Sequence, residues 1–226
     1  MHGRARLERP PSAQEIEIDQ QKSAAYIKLV SIIQARRSAG DLSEQTLELT
    51  GQLLKKNPDY YTLWNFRKEI LIRNNSDIGL DMEARTPKIE SDRGTALATR
   101  ELQLSQDAIV KNPKSYGAWY HRVWIIDRFV VDIDHEIKLC NKFLEADQRN
   151  FHCWNYRRHL IGVGHISLRS EFEFSTKKIS ENFSNYSAFH HRSVYLKALL
   201  AGGEGDMPPP AEVFQEEYRY EKCPDD

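Results

Sequence analysis

Apolar side chains recur at helical spacing along most of the chain, in paired segments separated by short polar turns. After each turn, two aromatic residues and an arginine follow one another at intervals of three, which places all three on one stripe of a helix. The intervening segments carry apolar positions such as Leu47, Leu53, Leu54, Leu139 and Phe143 at a similar spacing. The pattern predicts an all-α chain built from helical hairpins.

Four related stretches carry this pattern: NPDYYTLWNFR from Asn57, NPKSYGAWYHR from Asn112, DQRNFHCWNYR from Asp147 and NFSNYSAFHHR from Asn182. Their central aromatic residues are Trp64, Trp119, Trp154 and Phe189, at intervals of 55, 35 and 35 residues. An interval of 35 residues holds two helices and their turns. The repeat arginines are Arg67, Arg122, Arg157 and Arg192. We interpret them as structural donors to loop carbonyls or to a carboxylate of the adjacent turn.

Each stretch is predicted to open a helix, with its first Asn or Asp as the N-cap and with Pro58 or Pro113 in the first turn. The aromatic and arginine stripe is expected to pack against the next repeat. Partner helices are predicted at roughly 42–56, 94–111, 133–146 and 168–181. A further helix near 20–39 is expected to cover the first repeat.

The chain divides into three regions. Residues 1–19 are predicted to be a flexible N-terminal segment, and residues 20–200 a helical-repeat domain with a polar surface loop near 74–94. Residues 201–226 combine a Gly/Pro linker with a partial helix, AEVFQEEYRYEK, and contain no fifth copy of the motif. The repeat array is therefore expected to be truncated at this end.

Composition excludes several classes of protein. The 32 Lys and Arg residues against 33 Asp and Glu leave a net charge of -1, which supplies no overall field for binding nucleic acid. No apolar run approaches the roughly 18 residues that a membrane span needs, and the start has no apolar signal core, so a cytoplasmic location is expected. The three cysteines, at 140, 153 and 223, are predicted to be free thiols. Neither they nor the eight histidines have metal-ligand spacing, so no metal site is predicted.

The repeated word, N/D-x-x-x-Y/F-x-x-W/F-x-x-R, and its 35-residue interval resemble the α subunits of protein prenyltransferases. The resemblance covers roughly residues 20–200. It implies a right-handed α-α superhelix of helical hairpins, a crescent-shaped solenoid around a β subunit. Within that family, NPKSYGAWYHR, RNFHCWNYRR and NFSNYSAFHHRS look most like the Rab geranylgeranyltransferase (type II) branch, of which this chain would be an N-terminal portion.

The resemblance implies transfer of geranylgeranyl from geranylgeranyl diphosphate, the substrate, to C-terminal cysteines of Rab proteins. The β subunit of such a heterodimer would hold the lipid pocket and the catalytic zinc, so this chain would bind no cofactor itself. Rab escort protein would dock on the α subunit. Activity would require the β subunit, and the family's α subunits continue beyond the position of Leu200.

Four residues are the candidates for contact with the diphosphate. Lys114, just inside the predicted helix start at Asn112-Pro113, would combine a positive charge with helix-terminal N–H groups. The resemblance implies that Lys114 contacts the diphosphate with Tyr116 beside it, and that His152 donates a hydrogen bond from the next repeat. Asn150 would either shape the site or act as a helix cap. Lys114 and His152 are the two catalytic candidates.

Other histidines are weaker candidates for a functional contact. His121 and the pair His190–His191 stand beside the repeat arginines and would be either donors to the β subunit or local hydrogen-bonding residues. His2 would lie in a disordered tail or, alternatively, reach the zinc of the β subunit.

An alternative from another class is a tetratricopeptide-like scaffold that binds proteins or peptides without catalysis, because 35 residues lies close to that repeat's 34. The W-x-x-L-G-x-x-Y word of that repeat is absent, and arginine follows the aromatic residue by three in every copy. These features favour the prenyltransferase reading.

Overall fold

The computed structural model describes residues 10, 12–75, 89 and 91–200. His2, Cys223, most of the loop predicted near 74–94 and the linker with its partial helix all lie outside these residues. The described part of the chain contains nine α-helices and no β-strand, which confirms the all-α prediction. Its only bridge of β type joins Ile89 to Phe129.

The helices are α1 (Ala13–Ser38), α2 (Glu44–Lys56), α3 (Tyr61–Asn74), α4 (Asp92–Lys111), α5 (Tyr116–Arg128), α6 (Ile133–Ala146), α7 (Phe151–Gly164), α8 (Leu168–Glu181) and α9 (Tyr186–Leu200). Among the described residues, none of the helices has the length and apolar character needed to cross a bilayer. The chain forms two compact units, Met1–Leu80 and Asp81–Asp226.

The first unit contains α1, α2 and α3. Helix α1 begins at Ala13 rather than near residue 20, so the predicted flexible segment extends too far along the chain. The cause is a capping box: the Ser12 hydroxyl accepts from the Glu15 amide, and the Glu15 carboxylate accepts from the Ser12 amide at 2.7 Å. Helix α2 packs on both α1 and α3.

The second unit contains three helical hairpins, α4–α5, α6–α7 and α8–α9. Helix α5 packs on α7, and α7 packs on α9, so the second helices of the hairpins form a continuous stack. This arrangement is the helical-hairpin solenoid that the repeat predicts.

The first residue of each motif ends a helix instead of beginning one. Asn57, Asn112, Asp147 and Asn182 are the C-caps of α2, α4, α6 and α8. Their side-chain oxygens accept the amide two residues on, at 3.0–3.2 Å, which turns the chain before the next helix. The next helix starts four residues after the cap, so the predicted N-caps are wrong.

The tryptophans tie each turn to the helix that follows it. The indole N–H groups of Trp64, Trp119 and Trp154 donate to the carbonyl six residues earlier, at 2.8, 2.9 and 2.9 Å. All three rings are buried. Phe189 has no N–H and cannot make this bond. The aromatic repeat positions therefore hold the turns in place.

Two of the repeat arginines, Arg122 and Arg157, join consecutive hairpins of the second unit. Arg122 forms a bidentate ion pair with Glu136 of the next hairpin at 2.8 and 2.8 Å, and Arg157 pairs in the same way with Glu171 at 2.8 and 2.6 Å. Arg122 also donates to the Leu102 carbonyl of the preceding helix at 2.7 Å. The predicted carboxylate partner exists, but it lies within the next partner helix and not in the adjacent turn.

Each of these glutamates accepts a third hydrogen bond from the residue before a repeat arginine. The Tyr156 hydroxyl donates to Glu136 at 2.6 Å, and the His191 ring lies 3.1 Å from Glu171. Burial lowers the pKa of His191 to about 4, so the ring is neutral at pH 7. Buried carboxylates with this many donors fix the register between hairpins.

Candidate functional site

The first aromatic residue of each aromatic and arginine stripe is exposed, contrary to the prediction that the whole stripe is packed. Tyr61, Tyr116, Phe151 and Tyr186 are the first residues of α3, α5, α7 and α9. Within the second unit, the turns that precede α5 and α7 lie beside each other, because the Asn150 amide nitrogen donates to the Pro113 carbonyl at 3.0 Å. This junction brings the sequence-predicted site residues together.

Lys114 lies in the turn between α4 and α5. Helix α5 begins only at Tyr116, so Lys114 precedes the helix. The prediction that Lys114 lies within the first turn is therefore wrong. The Lys114 backbone amide donates to the Asn112 side chain at 3.1 Å, which holds the turn. The side chain is exposed, and its ammonium has no hydrogen-bond or ion-pair partner within the described part of the chain.

His152 is the second residue of α7, and only 6% of it is exposed. Its ring meets Tyr116 edge-on, with 4.3 Å between centroids, and lies 3.9 Å from the Phe151 ring. The Nε2 atom is buried and has no hydrogen-bond partner among the described residues. A buried polar atom without a partner costs free energy, so a water or a ligand that reached Nε2 would stabilise the site.

Burial and the nearby Lys114 charge lower the pKa of His152 to about 4. The ring is therefore neutral at pH 7, with one N–H donor and one acceptor nitrogen. Lys114 is the nearby positive charge that opposes protonation of the ring. A bound anion would offset that charge and accept hydrogen bonds from both groups.

An NMR titration of the chain should give the His152 ring protons a midpoint near pH 4 instead of 6.5. Lys114→Ala is expected to raise this midpoint only part of the way, because burial is the larger cause and remains in place. The exposed Lys138 of α6 provides the control, and Lys138→Ala should leave the midpoint unchanged. A midpoint close to 6.5 in the unaltered chain would contradict the buried, neutral ring.

Asn150 has a positioning role. Its side-chain oxygen accepts the Cys153 amide at 3.2 Å, which makes it the N-cap of α7, while its nitrogen bonds to Pro113. Both ends of the amide are thus used within the protein. Asn150 fixes the start of α7, and with it His152, beside the turn that carries Lys114.

Arg149 is a cation near this site that sequence reasoning missed. It follows Asp147 by two residues, as Lys114 follows Asn112, so aligning the repeats could have found it. Its guanidinium donates to the Ser184 carbonyl at 2.7 Å and joins the turn before α7 to the turn before α9. The basic position therefore recurs in two successive turns.

The other polar candidates that the sequence analysis names lie in the protein interior. His121 is fully buried, and its Nε2 lies 2.9 Å from the Glu101 carboxylate, while His191 contacts Glu171, so both are local hydrogen-bonding residues. Cys140 and Cys153 are buried free thiols, as predicted. Across the described residues, no group of His, Cys, Asp and Glu could hold a metal ion.

Comparison with protein families identifies one matching model, the protein prenyltransferase alpha subunit repeat. It matches residues 43–73, 98–129, 133–162 and 168–199, together more than half of the chain. Each matched stretch contains one helical hairpin of the structure, or most of one.

Curated relatives share the same name. The chain is 38% identical over 216 residues to "Geranylgeranyl transferase type-2 subunit alpha" of Rattus norvegicus and of Homo sapiens, covering 92% of this chain and 36% of each relative. It is 32% identical over 215 residues to the protein of that name in Candida albicans, covering 88% of this chain and 56% of the relative. The chain thus spans roughly a third to a half of the length of these relatives.

Proposed function

This chain belongs to the protein prenyltransferase α-subunit family, and from that membership we propose that it acts as the α subunit, or a part of one, in a type II geranylgeranyltransferase. The enzyme transfers geranylgeranyl from its diphosphate to C-terminal cysteines of Rab proteins. Support comes from the shared name of relatives that are 32–38% identical over most of this chain.

A role in the chemistry is supported by one observation, the position of Lys114 close to the buried His152. Prenyl transfer breaks a carbon–oxygen bond, and negative charge grows on the departing diphosphate. A cation and an N–H donor fixed before the reaction stabilise that charge without reorganising. Lys114 supplies the cation, and the neutral ring of His152 supplies the donor. No general base is assigned to this chain.

The proposed partners follow from how the two subunits of such a heterodimer share the binding and catalytic groups. In this proposal a β subunit supplies the zinc and the lipid pocket, and Rab escort protein presents the Rab substrate in the cytoplasm. In this proposal the contribution of this chain is the pair of donors for the anion, Lys114 and His152. The prenyltransferase repeat match leaves no observation that favours the tetratricopeptide-like scaffold.

Coexpression with a type II β subunit tests the proposal. We expect the two chains to elute together in size-exclusion chromatography and to transfer geranylgeranyl to an escorted Rab, with the β subunit alone as the control. Association without transfer would restrict this chain to a partial α subunit. Failure to associate would contradict the proposed function.

A further inference from the structure

The outer face of the last described hairpin, α8–α9, is uncovered where the equivalent faces of earlier hairpins are buried. Leu196 is 36% exposed, although Ile126 and Ile161, the residues one and two repeats earlier, are 0% and 2% exposed. Phe189 is also half-buried, whereas Trp119 and Trp154 are buried. In the interior, these positions are covered by the next hairpin.

The arginine of this face is also missing its usual partner. Arg192 donates to the Thr176 hydroxyl at 3.2 Å and lies 4.7 Å over the Phe172 ring. Within the described part of the chain it has no carboxylate like those that Glu136 and Glu171 give to Arg122 and Arg157. The face therefore matches an apolar helix that presents a glutamate.

The partner helices that carry those glutamates share a short pattern. Residues 133–139 read IDHEIKL and residues 168–174 read LRSEFEF, each with the pairing glutamate at the fourth position and apolar residues at the first, fifth and seventh. Residues 214–220 read FQEEYRY, which has aromatic residues at the same three positions and Glu217 at the fourth. The same pattern is thus present a third time, beyond α9.

We propose that residues 214–220 dock on the α8–α9 face as a helix of the same kind and that Glu217 pairs with Arg192. Phe214, Tyr218 and Tyr220 would cover the apolar part of the face. The proposal is independent of the catalytic role, because it concerns how the repeat array is covered at this end.

The connection is long enough for this docking. The 13 residues 201–213 separate Leu200 from Phe214, and a chain of that length reaches up to about 43 Å when extended. Helix α9 has 15 residues and is about 22 Å long. The segment can therefore return along α9 and reach Arg192 with length to spare.

Charge complementarity specifies the occupant. The four residues Gln215–Tyr218 include two carboxylates, at 216 and 217, but only Glu217 has the spacing of the known pairing glutamates relative to the apolar positions. On a helix, Glu216 would point about 100° away from Glu217. Glu216 is therefore a matched control for Glu217.

The test is a charge exchange followed by hydrogen–deuterium exchange of the full 226-residue chain. Arg192→Glu and Glu217→Arg should each speed exchange of the α8–α9 amides about tenfold, because like charges would face each other across the docked surface. The double variant should recover most of the protection. Arg192→Glu with Glu216→Arg should not recover it. Equal behaviour of the two double variants, or no recovery in either, would overturn the proposal.

A second copy of the chain is the competing occupant of this face. Sedimentation over a hundredfold range of concentration separates the two cases, with the exchange measurement repeated at both ends of the range. A docked segment of the same chain gives a monomer and protection that does not change with concentration. Protection that rises with dimer formation would overturn the intramolecular pairing.

Discussion

Replacing Glu171 with alanine is expected to lower the free energy of unfolding by about 3–5 kcal/mol, the range seen when one partner of a buried ion pair is removed. Glu171 is 1% exposed and accepts two hydrogen bonds from Arg157 and one from His191. The substitution would leave a buried guanidinium without its carboxylate. Urea unfolding followed by circular dichroism measures the loss.

The carboxylate is charged in the folded chain at neutral pH. Burial alone would raise the pKa of Glu171, but hydrogen bonds from His191 and Arg157 outweigh it and hold the pKa below its usual value. A depressed folded pKa means that this stabilisation is present above the ordinary glutamate pKa and is lost as pH falls through the folded value. The difference between Glu171→Ala and the unaltered chain should therefore shrink in acid.

Glu173 provides the matched control on the same helix. It is exposed, and it forms a long ion pair with Arg169 at 3.9 Å. Glu173→Ala should cost less than about 1 kcal/mol, as is usual for exposed ion pairs. Similar losses for Glu171→Ala and Glu173→Ala would show that the buried pair does not join the hairpins.

The spacing of aromatic residues and arginines was sufficient to predict the helical hairpins, because a 35-residue period admits few alternatives. Asn112-Pro113 alone could not show whether the asparagine caps the start of a helix or the end of one. Asparagine suits a helix start and also a turn that follows a helix end, and the two readings differ in which amide its side chain binds. The structure resolves this, since Asn112 accepts from Lys114 two residues on.

The candidate site could be predicted only in part. Lys114 and His152 became candidates through the resemblance to prenyltransferase α subunits. The burial of the His152 ring depends on its packing against Tyr116, which no local pattern encodes. Glu136 and Glu171 were missed because a single glutamate in an amphipathic helix looks like surface. Their signal is the apolar residue three positions before each one, Ile133 and Leu168, because residues three apart lie on the same face of a helix.

Lys114→Ala is expected to lower kcat/KM of the assembled transferase by roughly 10²–10³-fold, the usual loss when one group that stabilises a transition-state charge is removed. The premise is the proposed role of Lys114 at the diphosphate. Its side chain is exposed and makes no hydrogen bond or ion pair within the described residues. Folding and association with the β subunit should therefore survive the substitution.

The control variant is Lys138→Ala, which removes an exposed lysine from α6 and should leave transfer unchanged. If Lys114 binds the diphosphate equally in the ground state and the transition state, KM will rise while kcat holds; if it acts on the departing charge, kcat will fall. Growing charge on the leaving group favours the second result. Full activity in Lys114→Ala would show that Lys114 does not stabilise the diphosphate. That result would contradict the proposed anion site at Lys114 and His152.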